Sequence, residues 1–513
     1  MISQLYDAYA IVYLLCIKGR LLKKQQQKNF STTQNTLTQK LCFPLFLEIS
    51  YKKNVERHLE HSKKTQRICL ALLFILLSIL LYFVLPSSMT EASKRVCSIL
   101  LFAILFWGFE IIPLFATSLI IVLLLTLFLT APANLLGVGS GVQFFLTPFS
   151  SPIIMLFFGG LTLAAAAHTH HVDIYLIEKM LSKLGHSALS LIIGLLFITA
   201  FFSMWISNTA AAALMLMLIK PILDQFGKSD LIKQRMVLAI AFGANIGGIA
   251  TPIGTPPNAI ALGILREFGI NINFLEWMAI TLPLMLVLLA ITALVLTWLF
   301  PTKIKQIPFD ISQKSTISKN GKTVLYFALI IIVLWLTEPL HHIPESMVAL
   351  GGVCLLATFG LISKKEIRSI PWEVLILMWG GLALGEAVQK SGLIGTIVSL
   401  PFFQQRELIV IIAFSVVALI LTSFISNTAT ANILLPIAIN VDPSHKAYIA
   451  ITVALACSFS FAFPISTPPN ALAYGTGLFS IKDMMKSGAL ISVIGLVIML
   501  PLIAYIIPLI LNF

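Results

Sequence analysis

The chain has 513 residues, of which 58% are hydrophobic and only 11% are charged. Soluble domains carry about a quarter charged residues, so this composition excludes an ordinary soluble protein. The net charge of +13 does not indicate a nucleic-acid partner, because the Lys and Arg residues cluster in short polar gaps between apolar runs. That distribution is typical of the cytoplasmic loops of membrane proteins. We therefore expect an all-α polytopic membrane protein of about 11 transmembrane helices.

The first 66 residues differ from the rest because they are polar, basic and rich in glutamine (KKQQQKNF). Their apolar patch at Ala8–Cys16 is too short to span a membrane, and no obvious cleavage site follows it. We predict a cytoplasmic N-terminal extension at 1–66, with a transit peptide or a misassigned start codon as alternatives. An extra first transmembrane helix is expected within 67–94. The expected location is a bacterial inner membrane with the N-terminus in the cytoplasm, and an organelle inner membrane is the alternative.

Four pairs of similar segments recur in the same order, which divides the rest of the chain into two halves. The pairs are WGFEIIP (107–113) with WLTEPLH (335–341), SPIIMLFFGGLTLA (151–164) with WEVLILMWGGLALG (372–385), ISNTAAA (206–212) with ISNTATA (425–431), and IGTPPNAIALG (253–263) with ISTPPNALAYG (465–475). Chance is a poor explanation for four pairs that recur in the same order at similar spacing. They predict a first repeat at 95–300, a basic cytoplasmic linker at 301–322 and a second repeat at 323–513.

The polar gaps also predict the orientation of each segment. In the first half we expect spans at about 96–111, 113–131 and 152–171, an amphipathic surface segment at 175–185, hairpin arms at 188–206 and 210–223, and further spans at 236–265 and 275–300. Basic segments at both ends of the hairpin make it re-entrant. The second half starts on the inside after an odd number of crossings, so its hairpin at about 408–440 opens outward. Such inverted repeats place a substrate site at their interface near the midplane.

Each Ser-Asn-Thr stretch lies where one hairpin arm ends and the next begins. The start of the second arm has unpaired N–H groups and a partial positive charge, which suit an anion. The end of the first arm has unpaired carbonyls, which suit a small hard cation. Ser203 and Thr422 lie one turn before Ser207 and Ser426, on the same helix face, and add a hydroxyl to each tip.

The two Thr-Pro-Pro-Asn segments interrupt the next long apolar runs. Proline removes an N–H group and breaks a helix, so an unwound stretch with free carbonyls is expected at each segment. Thr255 and Thr467 add hydroxyls before the breaks, and Asn258 and Asn470 add amides after them. The surrounding segments, 187–219, 236–265, 408–441 and 447–481, contain no Lys, Arg, Asp or Glu. A divalent anion held there needs co-bound cations, which indicates cation-coupled anion transport.

Other polar residues have simpler interpretations. The histidines of HTHH (168–171) lie at a helix end without a Cys or carboxylate cluster beyond Asp173, so surface capping is expected. Glu110 and Glu338 occupy matching positions beside proline at helix ends and are interpreted as caps or pairing groups. A membrane-embedded enzyme would need a catalytic acid, base or metal cluster within the bilayer, and the uncharged segments argue against one.

The paired SNT tips, the paired TPPN breaks and the W-x-x-E before each half resemble the divalent anion:sodium symporter family over about 90–511. The resemblance implies a homodimer in which a transport domain moves as an elevator against a scaffold. It implies sodium ligands at Ser203, Ser207, Asn208 and Gly254, and at Thr422, Ser426, Asn427 and Ser466. It implies substrate contacts at Asn208, Thr209, Thr255, Asn427, Thr428, Thr467 and Pro468. Thr255 and Thr422 stand where the family commonly has Ser, and both keep the hydroxyl.

The function expected from these observations is secondary active transport of dicarboxylates such as succinate, malate and fumarate, coupled to sodium. No cofactor is expected beyond the sodium ions, and the expected partners are a small dicarboxylate anion and the lipid bilayer. A sodium-independent exchanger of the 2-oxoglutarate/malate type and a carrier of sulfate or another inorganic anion remain alternatives. The protein is not expected to be an enzyme.

Overall fold

The computed structural model describes residues 65–130, 134–137, 141–185, 187–227, 230–307, 316–399, 407–441 and 445–511. These residues form helices and connections without a β-strand, apart from an isolated bridge between Ser187 and Gln306. Six of the described helices are long and apolar enough to cross a membrane, judged by length and composition. The all-α class is therefore confirmed. Most of the predicted extension at 1–66 and part of the predicted linker at 301–322 lie outside the described residues.

The chain divides into two compact units, Met1–Leu70 and Ala71–Phe513. Of the first unit the structure describes only residues 65–70, which are helical. The described residues from Ala71 onward belong to the second unit.

The first half contains ten described helices, several of them capped as local chemistry predicts. They are α1 Thr65–Val84, α2 Glu91–Phe109, α3 Leu114–Leu125 (continued by a π-helical turn, Thr126–Thr130), α4 Pro152–Thr169, α5 Val172–Leu181, α6 Ala188–Ser203, α7 Asn208–Leu223, α8 Leu231–Gly247, α9 Pro256–Glu267 and α10 Phe274–Leu299. Asn273 and Glu276 form a capping box at the start of α10, each side chain accepting from the other's backbone N–H. Glu110 is the C-cap residue of α2, in the left-handed region, which agrees with its interpretation as a cap.

The second half contains eleven described α-helices. Its described helices are α11 Lys319–Leu336, α12 Glu338–His341, α13 Glu345–Thr358, α14 Lys364–Ser369, α15 Trp372–Lys390, α16 Leu393–Val398, α17 Glu407–Thr422, α18 Asn427–Val441, α19 Lys446–Cys457, α20 Pro468–Gly475 and α21 Ile481–Leu511. We call α6 and α7 with their connection Met204–Ser207 the first hairpin, and α17 and α18 with Ser423–Ser426 the second hairpin.

The two halves pack against each other reciprocally around the broken helices. Helix α9 of the first half packs on α18 and α19 of the second, and α20 of the second half packs on α7 and α8 of the first. The apolar run at 236–265, expected to be interrupted at its TPPN segment, forms two helices, α8 and α9, separated by residues 248–255. This packing of short helices on the opposite half brings both hairpin tips to one cavity.

Candidate functional site

Both hairpin tips and both helix breaks line one cavity of about 620 Å³. The first half contributes Ser207, Asn208, Thr209, Gly254 and Thr255, and the second half contributes Ser426, Asn427, Thr428, Ser466, Thr467 and Pro468. The structure thus brings together all but two of the residues that the sequence selected. The two exceptions, Ser203 and Thr422, are fully buried behind the tips.

At the first tip, Ser207 is the N-cap of α7, and its hydroxyl accepts from the N–H of Ala210 at 3.2 Å. The hydroxyl of Ser203, at the end of α6, lies 2.6 Å from Asn208 Oδ1 and 2.6 Å from the carbonyl oxygen of Ala244 on α8. An amide oxygen, a hydroxyl and a carbonyl thus converge behind the start of α7. These hard, uncharged oxygens are of the kind that a sodium ion accepts, and the sodium site itself stays a prediction.

The second tip has the same plan. Ser426 accepts from the N–H of Ala429 at 3.1 Å, and Thr422 Oγ1 lies 2.7 Å from Asn427 Oδ1 while also donating to the carbonyl of Cys457 on α19. A further hydroxyl, that of Ser460, lies 2.9 Å from Asn427 Oδ1. Both second arms thus begin at the Asn of Ser-Asn-Thr, slightly earlier than expected, so their unpaired N–H groups and positive dipole ends point at the cavity.

The helix breaks differ from the expectation in one respect. The prolines Pro256 and Pro257 occupy the first turn of α9, where a missing N–H costs nothing, and the irregular backbone precedes them. The carbonyls of that stretch are not free, because Asn258 Nδ2 lies 3.0 Å from Gly248 O and 2.8 Å from Thr251 O. The fully buried Asn258 side chain therefore holds the break in shape.

Asn470 performs the same task in the second half. Its Nδ2 lies 3.0 Å from both Ser460 O and Phe463 O and 3.2 Å from Ser466 Oγ. Thr467 caps α20 by accepting from the N–H of Asn470 at 3.3 Å. The two asparagines of the TPPN segments are thus part of the supporting framework, and they do not line the cavity.

Two cavity residues with an amide or carboxylate side chain were missed by the sequence argument. Asn245, on α8, is 2% exposed and lines the cavity; a single amide in an apolar run shortly before TPPN was the available signal. Glu373, in the first turn of α15, is exposed and also lines the cavity. The expectation of an uncharged site was therefore wrong in this detail, because α15 lies outside the four uncharged segments.

The histidines of HTHH lie away from this cavity. His168 Nδ1 lies 2.8 Å from Asp173 Oδ2, and His170 Nε2 lies 2.8 Å from the carbonyl oxygen of Leu361. Both rings lie at the end of α4, and they contact a carboxylate on α5 and a carbonyl of the second half. His170 is the C-cap residue of α4, which agrees with the expectation of capping.

Comparisons with known proteins agree with this geometry. A citrate transporter family model matches residues 104–459. A sodium-dependent dicarboxylate transporter of Staphylococcus saprophyticus is 30% identical over 85% of this chain and 90% of its own length. An uncharacterized transporter of Haemophilus influenzae is 32% identical over 83% of this chain and 95% of its own length.

Among solved structures, the YdaH transporter of Alcanivorax borkumensis matches with a TM-score of 0.54 and 13% identity, covering 76% of this chain and 98% of that one. This match concerns the fold alone. The family match covers more than half of the chain, and the resemblance noted from the paired tips and breaks is confirmed. The chain belongs to the citrate transporter family, within the divalent anion:sodium symporters.

Proposed function

We propose that this protein is a secondary active transporter that carries dicarboxylates of the succinate, malate and fumarate type across the membrane together with sodium ions. The observation that supports this most is the single cavity lined by both Ser-Asn-Thr tips and by Thr255 and Thr467. The relative from Staphylococcus saprophyticus is described as a sodium-dependent dicarboxylate transporter.

We propose that the anion binds between the starts of α7 and α18. Each start has unpaired N–H groups and a threonine, Thr209 or Thr428, whose hydroxyl can donate. Two such starts on one cavity match a substrate with a carboxylate at each end. We assign Asn208, Thr209 and Thr255, and Asn427, Thr428, Thr467 and Pro468, to the substrate.

We propose that the cations bind behind the tips. We assign one sodium to Ser203, Ser207, Asn208 and Gly254, and a second to Thr422, Ser426, Asn427 and Ser466. Glu373 on the cavity wall makes co-bound cations more necessary, because its carboxylate repels a divalent anion. Sodium then raises the affinity for the anion, and linkage requires the anion to raise the affinity for sodium by the same factor.

Movement is proposed to follow the elevator scheme of the family in a homodimer, with the hairpins moving against a scaffold that contains α2 and α11. The reciprocal packing of α9 and α20 supports an inverted repeat as the basis of two related positions. A crosslink from a cysteine at Thr209 or Thr428 to the scaffold should stop uptake. Uptake at the normal rate through such a crosslink would show that another part moves.

The deciding experiment measures succinate uptake into proteoliposomes in sodium and in choline medium. We expect uptake into empty vesicles with sodium and little without it. Equal rates in both media would refute the coupling, and uptake restricted to vesicles preloaded with dicarboxylate would identify an exchanger. Competition by citrate and by sulfate in the same assay separates the dicarboxylate proposal from a tricarboxylate or inorganic anion carrier.

A further inference from the structure

Asn245 connects the two halves of the site. It follows Ala244, whose carbonyl oxygen accepts from Ser203 at 2.6 Å beside the first tip. Its own Nδ2 lies 2.9 Å from Asn470 Oδ1 and 3.2 Å from Thr467 Oγ1 in the second half. A single short stretch of α8 therefore contacts both halves of the cavity.

The orientation of the Asn245 amide is determined by its partner. Asn470 uses its own Nδ2 for the carbonyls of Ser460 and Phe463, so its Oδ1 can only accept. Asn245 must therefore present its NH₂ group to Asn470. An Asn245 side chain rotated by half a turn would place two oxygens against each other in a buried site, at a cost comparable to a lost buried hydrogen bond.

The connection continues from Asn470 to the second tip. Asn470 holds the backbone of Ser460, and the hydroxyl of Ser460 lies 2.9 Å from Asn427 Oδ1. A path of hydrogen bonds and adjoining backbone thus joins the two sets of cation ligands proposed above. It runs through Asn208, Ser203, the Ala244–Asn245 peptide, Asn470, Ser460 and Asn427.

This connection has no symmetric counterpart in the described residues. Cys457 O accepts from Thr422 as Ala244 O accepts from Ser203, so the residue after Cys457, Ser458, is the counterpart of Asn245. The Ser458 hydroxyl bonds to Ala454 O on α19 at 3.4 Å. Asn258, which matches Asn470, has an Oδ1 without a hydrogen-bond partner in the described part of the chain. The link across the cavity thus depends on one side chain, Asn245.

We propose that Asn245 is a positioning residue that couples the two cation sites, so that binding at one tip improves the ligand geometry at the other. A cation at the first tip attracts the Ser203 hydroxyl and the Ala244 carbonyl. The Ala244 carbonyl belongs to the same peptide group as the Asn245 nitrogen, so the Asn245 side chain shifts with it. Asn470 and Ser460 then move relative to Asn427. This inference rests on the proposed sodium coupling.

The test uses Asn245→Leu, which keeps the approximate shape and loses the NH₂ group, and Asn245→Ser, which copies the residue found at the matching position. Ser458→Ala is the matched control on α19. Uptake in proteoliposomes is measured against sodium concentration, and sodium binding in detergent is followed by tryptophan fluorescence, which includes Trp205 at the first tip. Binding measured in detergent does not depend on turnover.

For the wild type and Ser458→Ala we expect sodium binding in detergent to be cooperative, with a Hill coefficient above one. For both Asn245 variants we expect the Hill coefficient of this binding to fall to about one and the half-saturating sodium concentration to rise about tenfold, a typical size for coupling between sites. Uptake stays sigmoidal in either case, because each turnover needs two sodium ions. A purely structural role would lower the amount of folded protein or the maximal rate and leave the Hill coefficient unchanged.

The outcomes separate the two proposals. Sodium-independent uptake by the wild type would overturn the proposed function and the coupling with it. Cooperative sodium binding in detergent that persists unchanged in either folded Asn245 variant would overturn the coupling alone. Loss of cooperative binding in Ser458→Ala as well would also overturn it, because the effect would then not be specific to the link.

Discussion

The two hairpin tips have the same polar plan and different apolar surroundings. At the first tip, the Trp205 ring stacks on Phe274 with centroids 6.1 Å apart, and Phe274 stacks on the buried Trp335 at 5.0 Å. At the second tip, Phe424 takes the place of Trp205; it is 62% exposed and contacts the Phe463 ring at 5.4 Å. The first tip is thus packed onto α10 and α11, and the second is not packed in this way.

A second difference lies directly behind the tips. Asn427 Oδ1 accepts hydrogen bonds from the hydroxyls of Thr422 and Ser460. At the first tip, Gly248 stands where the second tip has Ser460. A Cβ on Gly248 would lie 2.5 Å from Asn208 Oδ1, so a side chain has no room there. The repeated motif thus determines which types of ligand each tip offers. Neighbouring residues that differ between the halves determine how tightly each tip is packed and how many hydroxyls bond to its asparagine.

The largest effect is expected where the two tips are equivalent. Asn208→Ala and Asn427→Ala should each abolish sodium-dependent uptake, because each removes an amide oxygen that serves the cation and a side chain that lines the cavity. Asn440→Ala is the matched control, since Asn440 lies on α18 and bonds to Pro436 O. Normal sodium affinity in both tip variants would contradict the shared role of the tips.

The next-largest effect is expected from substitutions at the position where the two tips differ. Gly248→Ala should raise the half-saturating sodium concentration strongly, because the new methyl group displaces the Asn208 amide. Ser460→Ala should have a smaller effect, of about 0.5–1.5 kcal/mol, because it removes one neutral hydrogen bond to Asn427. The measurement is the sodium dependence of uptake. Equal effects of the two variants would show that the difference between the tips has no consequence for cation binding.

The stacked rings offer a third test. Phe274→Leu keeps an apolar side chain and removes the ring between Trp205 and Trp335, which should weaken the packing of the first tip by about 0.5–1.5 kcal/mol. We expect faster labelling of a cysteine at Thr209 by a polar maleimide and no change for a cysteine at Thr428, in a background without the native cysteines. Equal changes at both sites would indicate general loosening of the fold.

The smallest effect is expected from removing the threonine hydroxyls that are proposed to contact the substrate. Thr209→Val and Thr428→Val keep the side-chain shape and lose the hydroxyl, so each should raise the Km for succinate by the equivalent of about 0.5–1.5 kcal/mol. Thr323→Val, on the exposed start of α11, serves as the control. An unchanged Km in both valine variants would show that the carboxylates are held elsewhere.

The sequence alone determined the membrane class, the family and the residues of the two tips. These features depend on local rules, since Ser207 and Ser426 cap the helices that they directly precede, and Ser203 and Thr422 reach the tip from one turn away. Eleven of the thirteen residues named for the two tips and breaks lie in segments that occur twice in the chain. Ser203 and Thr422 lie outside these segments and match each other in position and chemistry.

Tertiary structure decided the rest. Asn245 bonds to Thr467 and Asn470, more than two hundred residues away, because α8 packs on α20, and no local pattern specifies that contact. Glu373 lines the cavity because α15 lies beside it. Trp205 stacks on Phe274, and Phe274 on Trp335, because α10 and α11 pack together beside the first tip. Short motifs determine local hydrogen bonding. Contacts between distant helices depend on how whole apolar faces pack, and this packing cannot be read from the sequence of any one segment.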